Sequence, residues 1–243
     1  MATVAVPSTQ QAPPLPASDI RQLVTFHFYR VDPLWRRQSQ SARRKQVREF
    51  ITCVSSRSKK LMVMTYSLVG MKADVDFLIW TVASKLEDLQ DFAAAIRQTE
   101  LGAYLTMPHS FLSMTKRSVY VDKLDPDHPD KRRYITPAKS KYFFIYPFVK
   151  THAWYQMPLE QRQALMDEHI VVGNKYKSVK LHTTYSFGLD DQEFVVAFEC
   201  DEPKDFLDLV MELRSAKQRV YTLRDTPIFT AIYKPLPEII ESL

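Results

Sequence analysis

The sequence predicts an α+β protein of two tandem ferredoxin-like repeats, whose antiparallel sheets pack into a barrel-like core. Three observations predict it. The segment Thr65-Tyr66-Ser67-Leu68-Val69-Gly70 is followed by an acidic turn, a strand and an amphipathic helix, and it returns as Thr184-Tyr185-Ser186-Phe187-Gly188 with the same sequel. Upstream, the run TFHFYRVDPLW, ending at Trp35, returns as IYPFVKTHAW, ending at Trp154, 119 residues later. Each copy then reads strand, helix, strand, strand, helix, strand, which is the ferredoxin-like order.

Taken in order, residues 1–18 are rich in Pro, Ala and Gln, with no basic start and no long apolar stretch. They read as a disordered leader rather than a secretory signal. The first repeat spans 19–121, and its strands are β-branched and aromatic runs of five to eight residues. The polar, proline-dotted stretch 122–140 is a linker. The second repeat spans 141–243. Its first helix, 158–172, opens at Pro158 and carries Leu165, Met166 and His169 along one stripe. Its second, 203–214, has Pro203 in the first turn and puts Phe206, Leu209, Val210 and Leu213 on one face.

Composition narrows the function. At 45% hydrophobic and 25% charged, the chain can bury a sizeable core. No run reaches the ~18 apolar residues of a membrane helix. The four glycines, Gly70, Gly102, Gly173 and Gly188, do not cluster, so no phosphate-cradling loop is expected. Cys53 and Cys200 are far apart and fit neither a zinc site nor a disulfide framework, which points to a reducing cytoplasm. A net charge of +5 admits nucleic acid, anionic lipid or an acidic small molecule. The Gly-aromatic string of an RNA-recognition module is missing, which argues against nucleic acid.

Duplication makes each repeat a control for the other. The 119-residue shift places His27 on Tyr146 and Phe50 on His169, so the fold does not itself require a histidine there. Two readings of His169 stand at this point: a satisfied histidine at the core edge, or a metal ligand. No second ligand lies at zinc spacing, so a ligand reading suits haem iron, where the porphyrin supplies four nitrogens. Tyr146, Lys150, Trp154 and Tyr155 read equally as ordinary core and surface residues.

Together they resemble a family. Tyr146-Pro147-Phe148-Val149-Lys150, Trp154-Tyr155-x-x-Pro158, Leu165-Met166-x-x-His169 and Ser186-Phe187-Gly188-Leu189-Asp190-Asp191 are similar to the chlorite dismutase family. Within it they resemble most the coproheme decarboxylases of actinobacterial type. The resemblance implies a peroxide-dependent enzyme that converts iron coproporphyrin III, at once substrate and cofactor, to haem b. It implies His169 as the iron ligand and Tyr146 as the redox-active tyrosine. It further implies that Lys150 pairs with a propionate, with Arg132, Arg133, Arg214 and Arg219 as candidates for the others. Hydrogen peroxide as co-substrate and a homopentamer follow from the same resemblance. The distal base stays open between His128, His182 and neither. Where chlorite-decomposing members carry an arginine, this chain has Leu181, which argues against chlorite chemistry. A haem peroxidase or chlorite dismutase is the nearest alternative, and a purely structural barrel a more distant one.

Overall fold

The computed structural model describes residues 21–120 and 134–243. The first repeat runs β1 (Leu23–Val31), α1 (Pro33–Arg36), α2 (Gln40–Arg57), β2 (Met62–Ser67), β3 (Phe77–Ala83), α3 (Leu86–Arg97) and β4 (Leu105–Met114). The second runs β5 (Tyr142–Lys150), α4 (His152–Gln156), α5 (Leu159–Lys175), β6 (Lys180–Tyr185), β7 (Phe194–Cys200), α6 (Pro203–Arg214), β8 (Thr222–Arg224), β9 (Phe229–Tyr233) and α7 (Leu236–Glu241). A 3-10 turn precedes β4, at Gly102–Tyr104, and another precedes β8, at Lys217–Tyr221.

Within each repeat the strands take the antiparallel ferredoxin order: β4-β1-β3-β2 in the first and β9-β5-β7-β6 in the second. The two sheets meet edge to edge. β4 pairs with β6 and β2 with β9, so eight strands close into a ring, with β8 added along the end of β5. The joints are short in backbone terms and reinforced by side chains. Thr184 Oγ1 donates to Ser113 Oγ at 2.8 Å, and Thr65 Oγ1 to the Lys234 carbonyl at 2.7 Å.

Strand alternation then decides where everything points. Val24, Phe26 and Phe28 of β1 face into the ring, where they meet Trp80, Phe143, Ile145 and Phe229 from both repeats. Trp80 and Phe143 stack at 5.1 Å, and Tyr66 and Phe143 at 4.5 Å, so the shared interior is an aromatic plug. Tyr29 and Val31 face outward and lie under α2 and α3.

The two outer layers differ. Among the described residues, the hydrophobic cluster of the first repeat's outer layer has sixteen buried members and that of the second five, with Tyr142, Tyr146, Leu181, Val196 and Leu213 only partly covered beside them. One cause was not legible in the sequence. Helix α7 belongs to the second repeat by position, yet its Leu236, Ile239 and Ile240 pack into the first repeat's outer core. One outer face is thus sealed and the other loosely filled.

Candidate functional site

The loosely filled face carries the predicted residues. Tyr146 lies on the outward side of β5, and Lys150 ends that strand just past a register shift, with its ammonium over Trp154. His169 lies on α5, the helix that follows. The structure joins His169 and Lys150 through a residue the sequence reading missed. The Gln218 amide nitrogen lies 3.1 Å from His169 Nδ1, and the Gln218 oxygen accepts from Lys150 Nζ. Gln218 sits in the 3-10 turn before β8 and is buried.

The first repeat shows what the fold requires at these three places. Tyr104 and Tyr221 occupy the same point, since each carbonyl accepts at 2.8 Å from the residue just past the first strand, Asp32 or Thr151. That 117-residue offset carries Leu101 onto Gln218, while the 119-residue offset carries Val31 onto Lys150 and Phe50 onto His169. Val31, Leu101 and Phe50 are all buried in the outer core. An apolar trio therefore satisfies the fold, and the second repeat has replaced it with ammonium, amide and imidazole. Burying such groups costs free energy even when they are paired, so this replacement singles out these three positions as the candidate site. The signal was present in the sequence, but only through the second offset.

Burial sets the chemistry of each group. Lys150 is 7% exposed, its ammonium 4.4 Å from the centre of the Trp154 ring. Desolvation, then the nearby Arg219 charge, lower its pKa to about 8. Desolvation and Lys150 lower that of His169 to about 4, so the ring is neutral and can act as a ligand at neutral pH. Burial pushes the Tyr146 phenol well up, and the Asp225 carboxylate pushes it further. Tyr146 is thus a protonated phenol stacked on Phe198.

Arg214, at the end of α6, and Arg219, in the 3-10 turn, converge on Asp225 at 2.6 and 3.0 Å. The charges of all three are felt electrostatically at the Tyr146 phenol. Arg132, Arg133 and His128 lie outside the described residues. Lys150 is expected from the sequence to meet a carboxylate of the ligand, and in this structure its ammonium donates to Gln218. His182 points the other way. It faces the ring interior, 5.3 Å from the Trp80 ring centre, with Nε2 2.7 Å from Glu199, while its neighbour Leu181 faces the site. Glu193 accepts from the Lys150 backbone N–H at 2.7 Å and from the Tyr155 hydroxyl at 2.6 Å. Its counterpart Asp76 does the first of these for Val31, at 2.8 Å, so that bond belongs to the fold.

These residues fit an iron porphyrin. They offer one neutral imidazole with Nδ1 engaged, an incompletely packed apolar layer, and guanidinium groups at its rim. Two clefts of about 450 and 340 Å³ lie elsewhere, in the first repeat beside α3, and His169 borders neither.

Comparison with known proteins places the chain in a family. Residues 43–234, spanning both repeats, match the family model described as chlorite dismutase. The coproheme decarboxylase of Mycolicibacterium smegmatis is 32% identical over 166 residues, 68% of this chain and 70% of that one. The coproheme decarboxylase of Staphylococcus carnosus is 31% identical over 160 residues, covering 61% of this chain and 64% of that one. A variant of the chlorite dismutase of Candidatus Nitrospira defluvii superposes with a TM-score of 0.84 at 29% identity, over 91% of this chain and 94% of that one. The curated relatives are enzymes, which places this chain among enzymes. It belongs to the chlorite dismutase family.

Proposed function

We propose that the chain converts iron coproporphyrin III to haem b by oxidative decarboxylation of two propionates, consuming hydrogen peroxide. In each step one propionic acid side chain and one H₂O₂ become a vinyl group, CO₂ and two waters. The observation that carries this reading is the Lys150–Gln218–His169 chain, placed where the first repeat buries Val31, Leu101 and Phe50. Tyr146 faces outward from the same strand as Lys150.

The porphyrin iron, with peroxide, supplies the oxidising equivalents. His169 would hold the iron through its imidazole. Gln218, which offers both an oxygen and an NH₂, can partner Nδ1 in either tautomer of the ring. Lys150 acts through Gln218 as a positioning residue. Its pKa of about 8 lets it meet the amide as ammonium or as amine.

Tyr146 does the work that an acid or base cannot. A propionate β-hydrogen is far too weakly acidic for any side-chain base. A phenol oxidised to its radical can take that hydrogen atom instead, and Tyr146 is held protonated on a rigid strand, within electrostatic reach of Arg214 and Arg219. Arg214 and Arg219 hold the propionate by charge-assisted bonds. The leading test is product mass after adding peroxide to the protein with ferric coproporphyrin III. Masses should fall by one and then two losses of 46 mass units (about CO₂ plus 2 H by this stoichiometry), and unchanged porphyrin would sink the reading.

Chlorite decomposition is the second reading, favoured by the fold match. Leu181 stands against it, because it gives the site an apolar side chain where a cation would retain the chloro-oxygen fragment. An oxygen electrode should record little release of O₂ from chlorite. Sustained release would reverse the order of the two readings.

A further inference from the structure

The second repeat contains a carboxylate receptor that is already filled by the chain itself. In the first repeat β4 runs unbroken over Leu105–Met114. Its counterpart is split into β8 and β9, and the split contains Asp225. Arg214 Nη1 and Arg219 Nη1 close on that one carboxylate at 2.6 and 3.0 Å. Arg97 occupies the Arg214 position in the first repeat, but Gly102 stands where Arg219 does. The second arginine and the acid therefore occur together only in the repeat that carries His169.

The exposures show which group is buried and which are available. Asp225 is 16% exposed, while Arg214 and Arg219 are 40% and 31% exposed. Each guanidinium has five N–H donors, and the Asp225 contacts leave most of them free. With two cations and one anion, the trio carries a net charge of +1. Its charges are felt electrostatically at the Tyr146 phenol, near which the proposed chemistry requires a substrate carboxylate.

We propose that Asp225 is a placeholder carboxylate. It holds Arg214 and Arg219 converged in the ligand-free protein, competes with the substrate carboxylate for their donors, and reoccupies them once that carboxylate is lost as CO₂. Asp225 thereby weakens binding of the carboxylate-bearing substrate and discriminates between it and the product. This inference rests on the coproporphyrin reading above.

The test is equilibrium titration, without peroxide, of ferric coproporphyrin III and ferric protoporphyrin IX into wild type, Asp225→Asn and Asp225→Glu. Asp225→Asn should tighten ferric coproporphyrin III on the order of tenfold, the effect of freeing one charge-assisted contact. Ferric protoporphyrin IX, which bears vinyls at the two reacting positions, should change by less than about twofold. Asp225→Glu, which keeps the charge, should stay near wild type. Weaker binding of both porphyrins to Asp225→Asn would make Asp225 an ordinary structural partner and overturn the proposal. So would equal tightening of both, which reports net charge alone. In either case the coproporphyrin reading stands, because wild type still binds. Wild type binding neither porphyrin overturns that reading and the placeholder together.

Discussion

Replacing Gln218 by leucine, the first repeat's own residue at that point, should destabilise the porphyrin-free protein by about 2 kcal/mol. The figure follows from what the substitution leaves behind. Lys150 is buried, Gln218 is its described hydrogen-bond acceptor, and the Trp154 ring is its nearest other partner. Losing a hydrogen bond to a buried charged group costs about 1.5–3 kcal/mol. Deprotonation sets the ceiling. At pH 7, one unit below the Lys150 pKa of about 8, shedding the proton costs about 1.4 kcal/mol. The amine left behind adds a smaller desolvation penalty. For a chain of this length, 2 kcal/mol lowers Tm by about 4–8 °C. Lys150→Met should cost about 1–3 kcal/mol in turn, because it orphans the Gln218 oxygen. The double variant removes both polar groups, approaches the apolar first-repeat layer, and should come within about 1 kcal/mol of wild type. The assay is urea unfolding of wild type, both single variants and the double variant, followed by circular dichroism. Additive losses, with the double variant as unstable as the sum, would refute the coupling on which the site assignment depends. The folded double variant should nonetheless have lost its grip on ferric coproporphyrin III.

Further outcomes follow from the same geometry. Tyr146→Phe keeps the ring stack with Phe198 and should bind ferric coproporphyrin III within about threefold of wild type, while leaving the porphyrin unconverted after peroxide; full conversion would remove Tyr146 from the chemistry. His169→Phe, which restores the first repeat's residue, should equal or exceed wild-type stability yet lose the iron-ligand absorption signature, and an unchanged spectrum would return His169 to a core role. The Lys150 pKa lies below its unfolded value of 10.5, so the unfolded chain binds the extra proton between pH 8 and 10.5 and folding strengthens as pH rises through that window. Lys150→Met should therefore lack a rise in wild-type stability between pH 8 and 9.5, measured as the difference in urea midpoints, and identical slopes would contradict the assigned burial.

How much of this was legible depends on the distance over which each feature is encoded. Strand alternation and helix stripes are local, so β1, β5 and α6 emerge from runs such as TFHFYRV and from the spacing of Phe206, Leu209 and Leu213. The duplication is long-range but literal, and it exposed His169 against Phe50. Gln218 escaped because the offset between the repeats changes from 119 to 117 across the turn before β3 and β7. Only the paired carbonyls of Tyr104 and Tyr221 show which residues correspond after it. Edge-to-edge closure escaped as well, because the β4–β6 joint depends on Ser113, Thr184 and Ser186 hydroxyls, which look like any polar strand residues in a sequence. His182 was ambiguous for a simpler reason. One step of strand register separates facing the site from facing the ring interior, and sequence does not fix that parity.

The asymmetry between the repeats also explains how a small chain tolerates a buried ammonium, an amide and an imidazole in one layer. Closing the ring makes the interior common to both repeats, so Phe26, Trp80 and Phe143 stabilise the second repeat as much as the first. Helix α7 then moves apolar surface from the end of the second repeat onto the first, where Ile239 and Ile240 are almost fully buried. At ~25 cal/mol per Å² of buried apolar surface, each such side chain contributes on the order of 2 kcal/mol. That is comparable to the penalty assigned to Lys150 and Gln218. The second repeat's outer layer is therefore free to stay loosely packed, which suits the proposed entry of a flat, carboxylate-edged ligand. The first repeat supplies stability that the second repeat's outer layer lacks.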